Sequence, residues 1–109
     1  MGRKTRPGGG GDARPEMAVA VVQADLLVPG CASLKDKRSV VKGLLDRARH
    51  RFNASVAEVG AQDLLQRAAV GAAFVANDRE YLRAEAERLL LYLEGCPEVQ
   101  VLDRQVEIL

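Results

Sequence analysis

Four strand-like segments and two amphipathic segments follow one another along the chain, and their order limits the folds that the chain can adopt. The strand-like segments cover residues 17–27, 53–60, 67–76 and 98–109, of which the first and third are almost continuously apolar and the other two also carry charged residues. Short segments of this kind, rich in Val and bounded by Gly, Pro and Asn, are typical of strands. The two amphipathic segments fall between the first and second strands and between the third and fourth.

The first amphipathic segment, residues 34–51, predicts a helix. Ser33 and Asp36 have the spacing of a capping box, in which each side chain satisfies an exposed backbone N–H. Apolar side chains follow at steps of three and four residues: Leu34, Val41, Leu44, Leu45, Ala48 and Phe52. At 3.6 residues per turn the helix has about five turns.

The second amphipathic segment carries the same kind of signals. Asn77 followed by Glu80 predicts its first turn, and leucines recur at helical spacing up to Leu93. Gly95 and Pro97 predict its end, because glycine commonly follows the last turn of a helix and proline cannot continue it.

The resulting order, β-α-β-β-α-β, predicts an α+β, ferredoxin-like domain with a four-stranded antiparallel sheet and two helices on one face. In this arrangement the first and third strands are central and the other two lie at the edges. The second and fourth strands carry Glu58, Asp103, Arg104 and Glu107. Charges of this kind discourage edge strands from pairing with other sheets, so the sequence supports the same strand order.

Residues 1–16 differ from the rest of the chain, since they contain five glycines and two prolines and little apolar surface. Such composition predicts a disordered, mildly basic tail, with residues 17–109 as the single folded domain. The apolar pattern begins abruptly at Met17, so an alternative interpretation is that the start codon has been assigned too far upstream.

Nothing in the sequence predicts export or membrane insertion. The longest apolar stretch, residues 68–76, is much shorter than the roughly 20 residues that span a bilayer, and no signal peptide is evident. Cys31 and Cys96 match no zinc or redox spacing, so free thiols in the cytoplasm are expected.

Charge is divided unevenly along a chain whose net charge is only +1. Residues 34–51 contain seven Lys or Arg and two Asp, whereas residues 52–109 contain five basic and ten acidic residues. A local positive field attracts polyanions even when the total charge is near zero. The alternative is an ordinary solvated helix face, in which Asp46 pairs with Lys42 and His50.

We predict that the basic helix contacts nucleic acid through its cations: Lys35, Lys37, Arg38, Lys42 and Arg49. Proteins that read single strands stack bases on exposed aromatic side chains, but Phe52 and Phe74 are expected in the core. The predicted partner is therefore structured RNA or a ribosomal subunit, held through phosphates in a salt-dependent manner.

A second group of polar side chains has no assigned role: Asp25, Glu58, Asp63, Gln66 and Arg67. Its carboxylates could support acid–base chemistry or a divalent ion. The simpler interpretation pairs Glu58 with Arg67 across the hairpin and lets Asp63 form a turn. We therefore predict neither a cofactor nor catalysis.

An alternative function follows from the first strand, which is apolar on both faces. Val19 and Val21 point one way and Ala20 and Val22 the other, whereas two helices cover only one face of the sheet. Exposed apolar patches often mark interfaces, which predicts a homodimer or another partner on the open face. Equally, the small side chains could form a patch that needs no partner.

Residues 17–109 resemble the YlxP-like family of small bacterial proteins in the motifs "SLKDKR", "RFNASVAEVG", "DLLQRA" and "VAND". The resemblance implies a ferredoxin-like fold and an unknown function. It also implies a role linked to the ribosome, because genes of this family neighbour those of translation and ribosome maturation factors. The positions that it marks are Lys35, Lys37, Arg38, Asp63, Gln66 and Arg67.

Overall fold

A computed structural model describes residues 16–109 of the protein. Nearly all of the predicted tail, residues 1–15, lies outside the described residues, so the prediction of a disordered segment stays a prediction.

The described residues form two helices and one antiparallel sheet, in the order predicted. The elements are β1 (Ala18–Leu27), α1 (Leu34–Arg51), β2 (Ser55–Gly60), β3 (Arg67–Ala76), α2 (Arg79–Glu94) and β4 (Gln100–Ile108). The strands lie in the order β2-β3-β1-β4, with β1 and β3 in the centre. The α+β, ferredoxin-like arrangement is therefore confirmed.

The first helix begins and ends at the predicted residues. The hydroxyl of Ser33 accepts a hydrogen bond from the backbone N–H of Asp36 at 3.1 Å, as the capping signature predicts. The carboxylate of Asp36 reaches back to the N–H of Ala32 at 3.3 Å, one residue before the N-cap. Both side chains therefore satisfy backbone donors at the start of α1.

The predicted start of the second helix is wrong by one residue. The N-cap is Asp78, whose Oδ1 accepts from the N–H groups of Glu80 at 2.9 Å and Tyr81 at 3.2 Å. A carboxylate accepts two bonds and is attracted to the positive helix N-terminus, so it replaces Asn77 in this role. Gly95 ends the helix as predicted.

The core lies between the helices and one face of the sheet. Alternate residues of β1 are buried on this face, from Ala18 to Leu26, and small side chains there leave room for helix leucines such as Leu44 and Leu90. Phe52 and Phe74 pack edge to face in this layer, with ring centroids 6.4 Å apart, as expected of core residues.

Within the described part of the chain, no helix covers the opposite face of the sheet. Val21 of β1 and Val75 of β3 are 40% and 58% exposed there, and Val19 lies directly across from Val75. The predicted division of β1 into a covered and an open face is confirmed.

Among residues 16–109, no helix is long and apolar enough to cross a membrane. Cys31 and Cys96 are both buried, and neither forms a disulfide.

Candidate nucleic-acid interface

Four of the predicted cations, Lys35, Arg38, Lys42 and Arg49, are exposed along one side of α1 and form what we call the basic stripe. At 1.5 Å per residue, the stripe extends over about 21 Å. The guanidinium of Arg49 donates to the carbonyl of Val56 in β2 at 3.0 Å. The stripe therefore runs on the side of α1 that lies over the edge strand.

The two ends of the basic stripe differ in charge. Lys42 and Arg49 both contact Asp46, each with a nitrogen–oxygen distance of 2.9 Å. The hydrogen bond from Lys42 is the largest cause that lowers the pKa of Asp46, which favours the charged carboxylate in this pair. The predicted Lys42–Asp46 pair is therefore confirmed. Among the described residues, no ion pair joins Asp46 to His50.

Lys35 and Arg38 form the other end of the stripe, near the start of α1. Within residues 16–109, no carboxylate lies within 4.0 Å of either side chain. Both cations are exposed, and their charge is therefore open to a partner in solution.

The prediction that Lys37 contacts nucleic acid is wrong, because its side chain is completely buried. Its ammonium group donates to the carbonyls of Ala61, Gln62 and Arg67 at 2.8, 3.2 and 3.1 Å. Three carbonyls account for all three protons of an ammonium group. Lys37 therefore holds the connection between β2 and β3 against α1 and cannot reach a phosphate.

Glu58 supplies the counter-charge for this buried lysine. Its Oε2 lies 3.3 Å from the ammonium nitrogen of Lys37, and this oxygen accepts no hydrogen bond from any residue that the structure describes. Since the lysine protons point to the carbonyls, Glu58 contributes charge rather than a hydrogen bond. The predicted pairing of Glu58 with Arg67, and its role as an exposed edge charge, are both wrong. Glu58 shares the covered face with Val56, two residues earlier.

The connection held by Lys37 is a short loop, residues 61–66, which we call the hairpin loop. Ala61 has a positive φ of 58°, and the carbonyl of Gln66 accepts from the N–H of Val28 at 2.8 Å. Leu64 and Leu65 are 52% and 43% exposed at its surface. The loop is thus fixed at both ends while it presents two leucines to solvent.

The polar group of unknown role does not assemble into one site. Asp25 lies on the open face opposite Asp103, and Glu58 lies inside next to Lys37. Asp63 and Gln66 are exposed in the hairpin loop, and Arg67 is exposed at the start of β3. Within the described part of the chain, no three His, Cys, Asp or Glu side chains come together in a way that could hold a metal ion.

The remaining arginines of α1 face the second helix and the segment that follows it. Arg47 forms an ion pair with Glu98, and Arg51 lies over the ring of Tyr92, 5.2 Å from its centroid. The count of seven basic residues in α1 therefore overstates its outward charge, because Lys37 and Arg47 are neutralised within the domain. The sequence does indicate that Lys37 is buried, because this residue occurs at an apolar position of the helix, three residues after Leu34 and four before Val41.

Two comparisons place the chain among known proteins. A family model described as "Protein of unknown function (DUF503)" matches residues 19–106. The chain is also 33% identical over 82 residues to "Uncharacterized protein YlxP" of Bacillus subtilis (strain 168), a match that covers 75% of this chain and 89% of that protein. The resemblance inferred from the sequence motifs agrees with both matches.

Proposed function

The chain belongs to the DUF503 family, whose function is unknown, and we therefore propose a function from the geometry of its charged surface. We propose that it is a non-enzymatic RNA- or ribosome-associated protein that contacts phosphate through the basic stripe. The observation that carries this proposal is the exposed pair Lys35 and Arg38 at one end of the stripe, neither of which has an ion-pair partner among residues 16–109. Lys42 and Arg49 extend the positive surface along α1.

Charge balance supports a polyanionic partner. The part of the chain that follows α1 is acidic, with ten acidic and five basic residues in positions 52–109, so the exposed cations of α1 contrast with it. Such a contrast steers a polyanion to α1, because the acidic excess of residues 52–109 repels it.

The exposed side chains favour structured RNA over loose single strands. Phe52 and Phe74 are 5% and 3% exposed, so neither offers a stacking platform, and the exposed Tyr81 belongs to α2 rather than to the basic stripe. A stripe of cations about 21 Å long matches a partner that is held through regularly spaced phosphates. Binding of this kind depends strongly on salt.

A role without catalysis fits the separation of the carboxylates Asp25, Glu58 and Asp63, which lie on the open face, in the interior and in the hairpin loop. We further propose a cytoplasmic location, which two free cysteines favour, since thiols persist in reducing compartments.

Co-sedimentation with purified ribosomal subunits at low and moderate salt tests the proposal. The variant is the triple substitution Lys35→Ala, Arg38→Ala and Lys42→Ala, which leaves the buried Lys37 and the hydrogen bond from Arg49 to Val56 intact. We expect the wild type to sediment with a subunit at low salt and the variant to remain in the supernatant. In a duplex-like target, the slope of log affinity against log salt should fall by about 0.9 for each phosphate that the variant no longer neutralises.

The matched control is Arg79→Ala, Arg83→Ala and Arg88→Ala, which removes the same charge from exposed positions on α2. It should bind like the wild type. If binding were weakened equally in both variants, the effect would depend only on net charge. If the wild type bound neither the subunits nor their extracted RNA, the proposal would be refuted.

The open sheet face supports a second candidate, a homodimeric interaction module. Val21, Val75 and Leu109 are exposed there by 40%, 58% and 57%, and Leu109 pairs with Val19 through two backbone hydrogen bonds. Sedimentation equilibrium over a wide concentration range tests this candidate. A dimer that Val75→Lys dissociates would support it, and a monomer at all concentrations would exclude it.

A further inference from the structure

We infer that Leu64 and Leu65 of the hairpin loop form an apolar wedge that inserts at an interrupted base step of the bound RNA. This inference rests on the proposed function and deepens it, because it specifies an RNA duplex broken by an unpaired nucleotide. The first observation is exposure: two adjacent leucines are 52% and 43% exposed in a six-residue loop.

The second observation is the way in which the loop is held. The buried ammonium of Lys37 bonds the carbonyls of Ala61, Gln62 and Arg67, and Gln66 is bonded to Val28. A wedge must keep its shape while it separates stacked bases, so a loop fixed by internal bonds suits this role.

The third observation is the charge around the loop. Lys37 links the loop directly to the first turns of α1, where Lys35 and Arg38 are exposed, and Arg67 is exposed immediately after the loop. Asp36 and Asp63 are also exposed nearby, so the surroundings are mixed with a cationic excess. Apolar wedges that open base steps are typically accompanied by Lys or Arg on the flanking phosphates.

The size of the apolar surface favours a base step over a protein partner. A standard protein interface buries about 800 Å² on each partner around an apolar centre. Two leucine side chains are too few to form such a centre, so we assign them to a single base step. The wide, shallow minor groove of A-form RNA admits a loop of this kind.

The test uses the full chain and two short RNA duplexes of matched sequence, one continuous and one with a single unpaired nucleotide. A 2-aminopurine base beside the interruption reports unstacking by its fluorescence. We expect the wild type to bind the interrupted duplex about tenfold more tightly, the ratio expected for burying one leucine side chain, with a rise in fluorescence.

The variant is Leu64→Ser with Leu65→Ser, and the control is Leu91→Ser, which removes a leucine that is 61% exposed on α2. The loop variant should lose the preference for the interrupted duplex, while its binding to the continuous duplex and its salt slope stay unchanged. The control should keep both. Thermal unfolding of each variant establishes that it is folded.

The remaining outcomes separate the two proposals. Salt-dependent binding without any preference for the interrupted duplex, or a preference that the loop variant retains, would overturn the wedge and leave the proposed function standing. If the loop variant no longer bound intact ribosomal subunits but bound both duplexes like the wild type, the wedge would be overturned, because the leucines would then contact a protein of the subunit. No binding of the wild type to either duplex or to subunits would overturn both proposals.

Discussion

Lys37 of α1 and Glu58 of β2 form an ion pair inside the domain, with 3.3 Å between the ammonium nitrogen and Oε2. The lysine is fully buried and the glutamate side chain is 16% exposed, so salt in solution screens the pair only weakly. Because Lys37 also bonds three carbonyls, it joins α1, β2 and the hairpin loop at one point.

The substitution Lys37→Met should lower the free energy of unfolding by about 3 kcal/mol. Methionine has a similar length, but it leaves three carbonyls without a donor and Glu58 without a counter-charge. Urea unfolding measures the change. The control Lys35→Met alters an exposed residue two positions earlier and should change stability by less than about 0.5 kcal/mol. Equal effects of the two substitutions would contradict the role given to Lys37.

The substitution Asp46→Asn should strengthen binding to RNA. Asp46 pairs with both Lys42 and Arg49 and offsets one of their two positive charges, and the hydrogen bond from Lys42 lowers the pKa of Asp46. Removal of this charge frees Lys42 for a phosphate, so the salt slope should increase by up to about 0.9. Titrations over a range of salt concentrations measure both quantities.

The control for Asp46 is Glu87→Gln, which removes one negative charge from α2, where Glu87 pairs with Arg104. It should leave binding nearly unchanged. A similar gain in both variants would show that only the net charge matters.

The substitution Asp78→Ala should destabilise the protein by about 1 kcal/mol, because two N–H groups at the start of α2 lose their acceptor. Asn77→Ala should have almost no effect, since Asn77 does not cap the helix. Thermal unfolding of the two variants compares the adjacent positions directly. A larger destabilisation by Asn77→Ala would instead identify Asn77 as the N-cap, as the sequence pattern indicates.

The substitution Asp103→Asn should stabilise the protein by about 0.5 kcal/mol, because Asp103 of β4 lies directly across from Asp25 of β1 and like charges in opposite positions repel. Asparagine keeps the acceptor for the N–H of Arg104, so only the charge is removed. Urea unfolding measures the change against Glu107→Gln, which lies opposite Val21 and should be neutral. The same stability for Asp103→Asn and the wild type would argue against repulsion at this pair.

The fold could be predicted from the sequence because local signals and the apolar pattern agree. The Ser33 cap and the helical spacing up to Phe52 define α1 without reference to the rest of the chain. The start of α2 is harder to predict, because Asn77 and Asp78 are adjacent and both are good caps. Only the position at which β3 ends decides between them.

The charged groups could be predicted less well, because a formal charge does not reveal where a side chain lies. Lys37 and Lys35 have the same chemistry, yet Lys37 alone occupies the apolar side of the helix. Its burial requires Glu58 and three carbonyls from residues more than 20 positions away. Pairs of this kind depend on how α1 packs against β2, which the sequence pattern of either element does not contain.

Because both helices pack on the same face of the sheet, buried and exposed residues alternate along β1, one of the two central strands. In β1 the even-numbered residues from Ala18 to Leu26 are buried, and the odd-numbered ones are exposed or half-buried. Substitutions at positions such as Val21 or Gln23 therefore leave the packed layer intact, whereas a residue inserted or deleted within β1 would exchange the two sets. As the chain diverges among relatives, β1 should tolerate many substitutions at odd-numbered positions and no change in length.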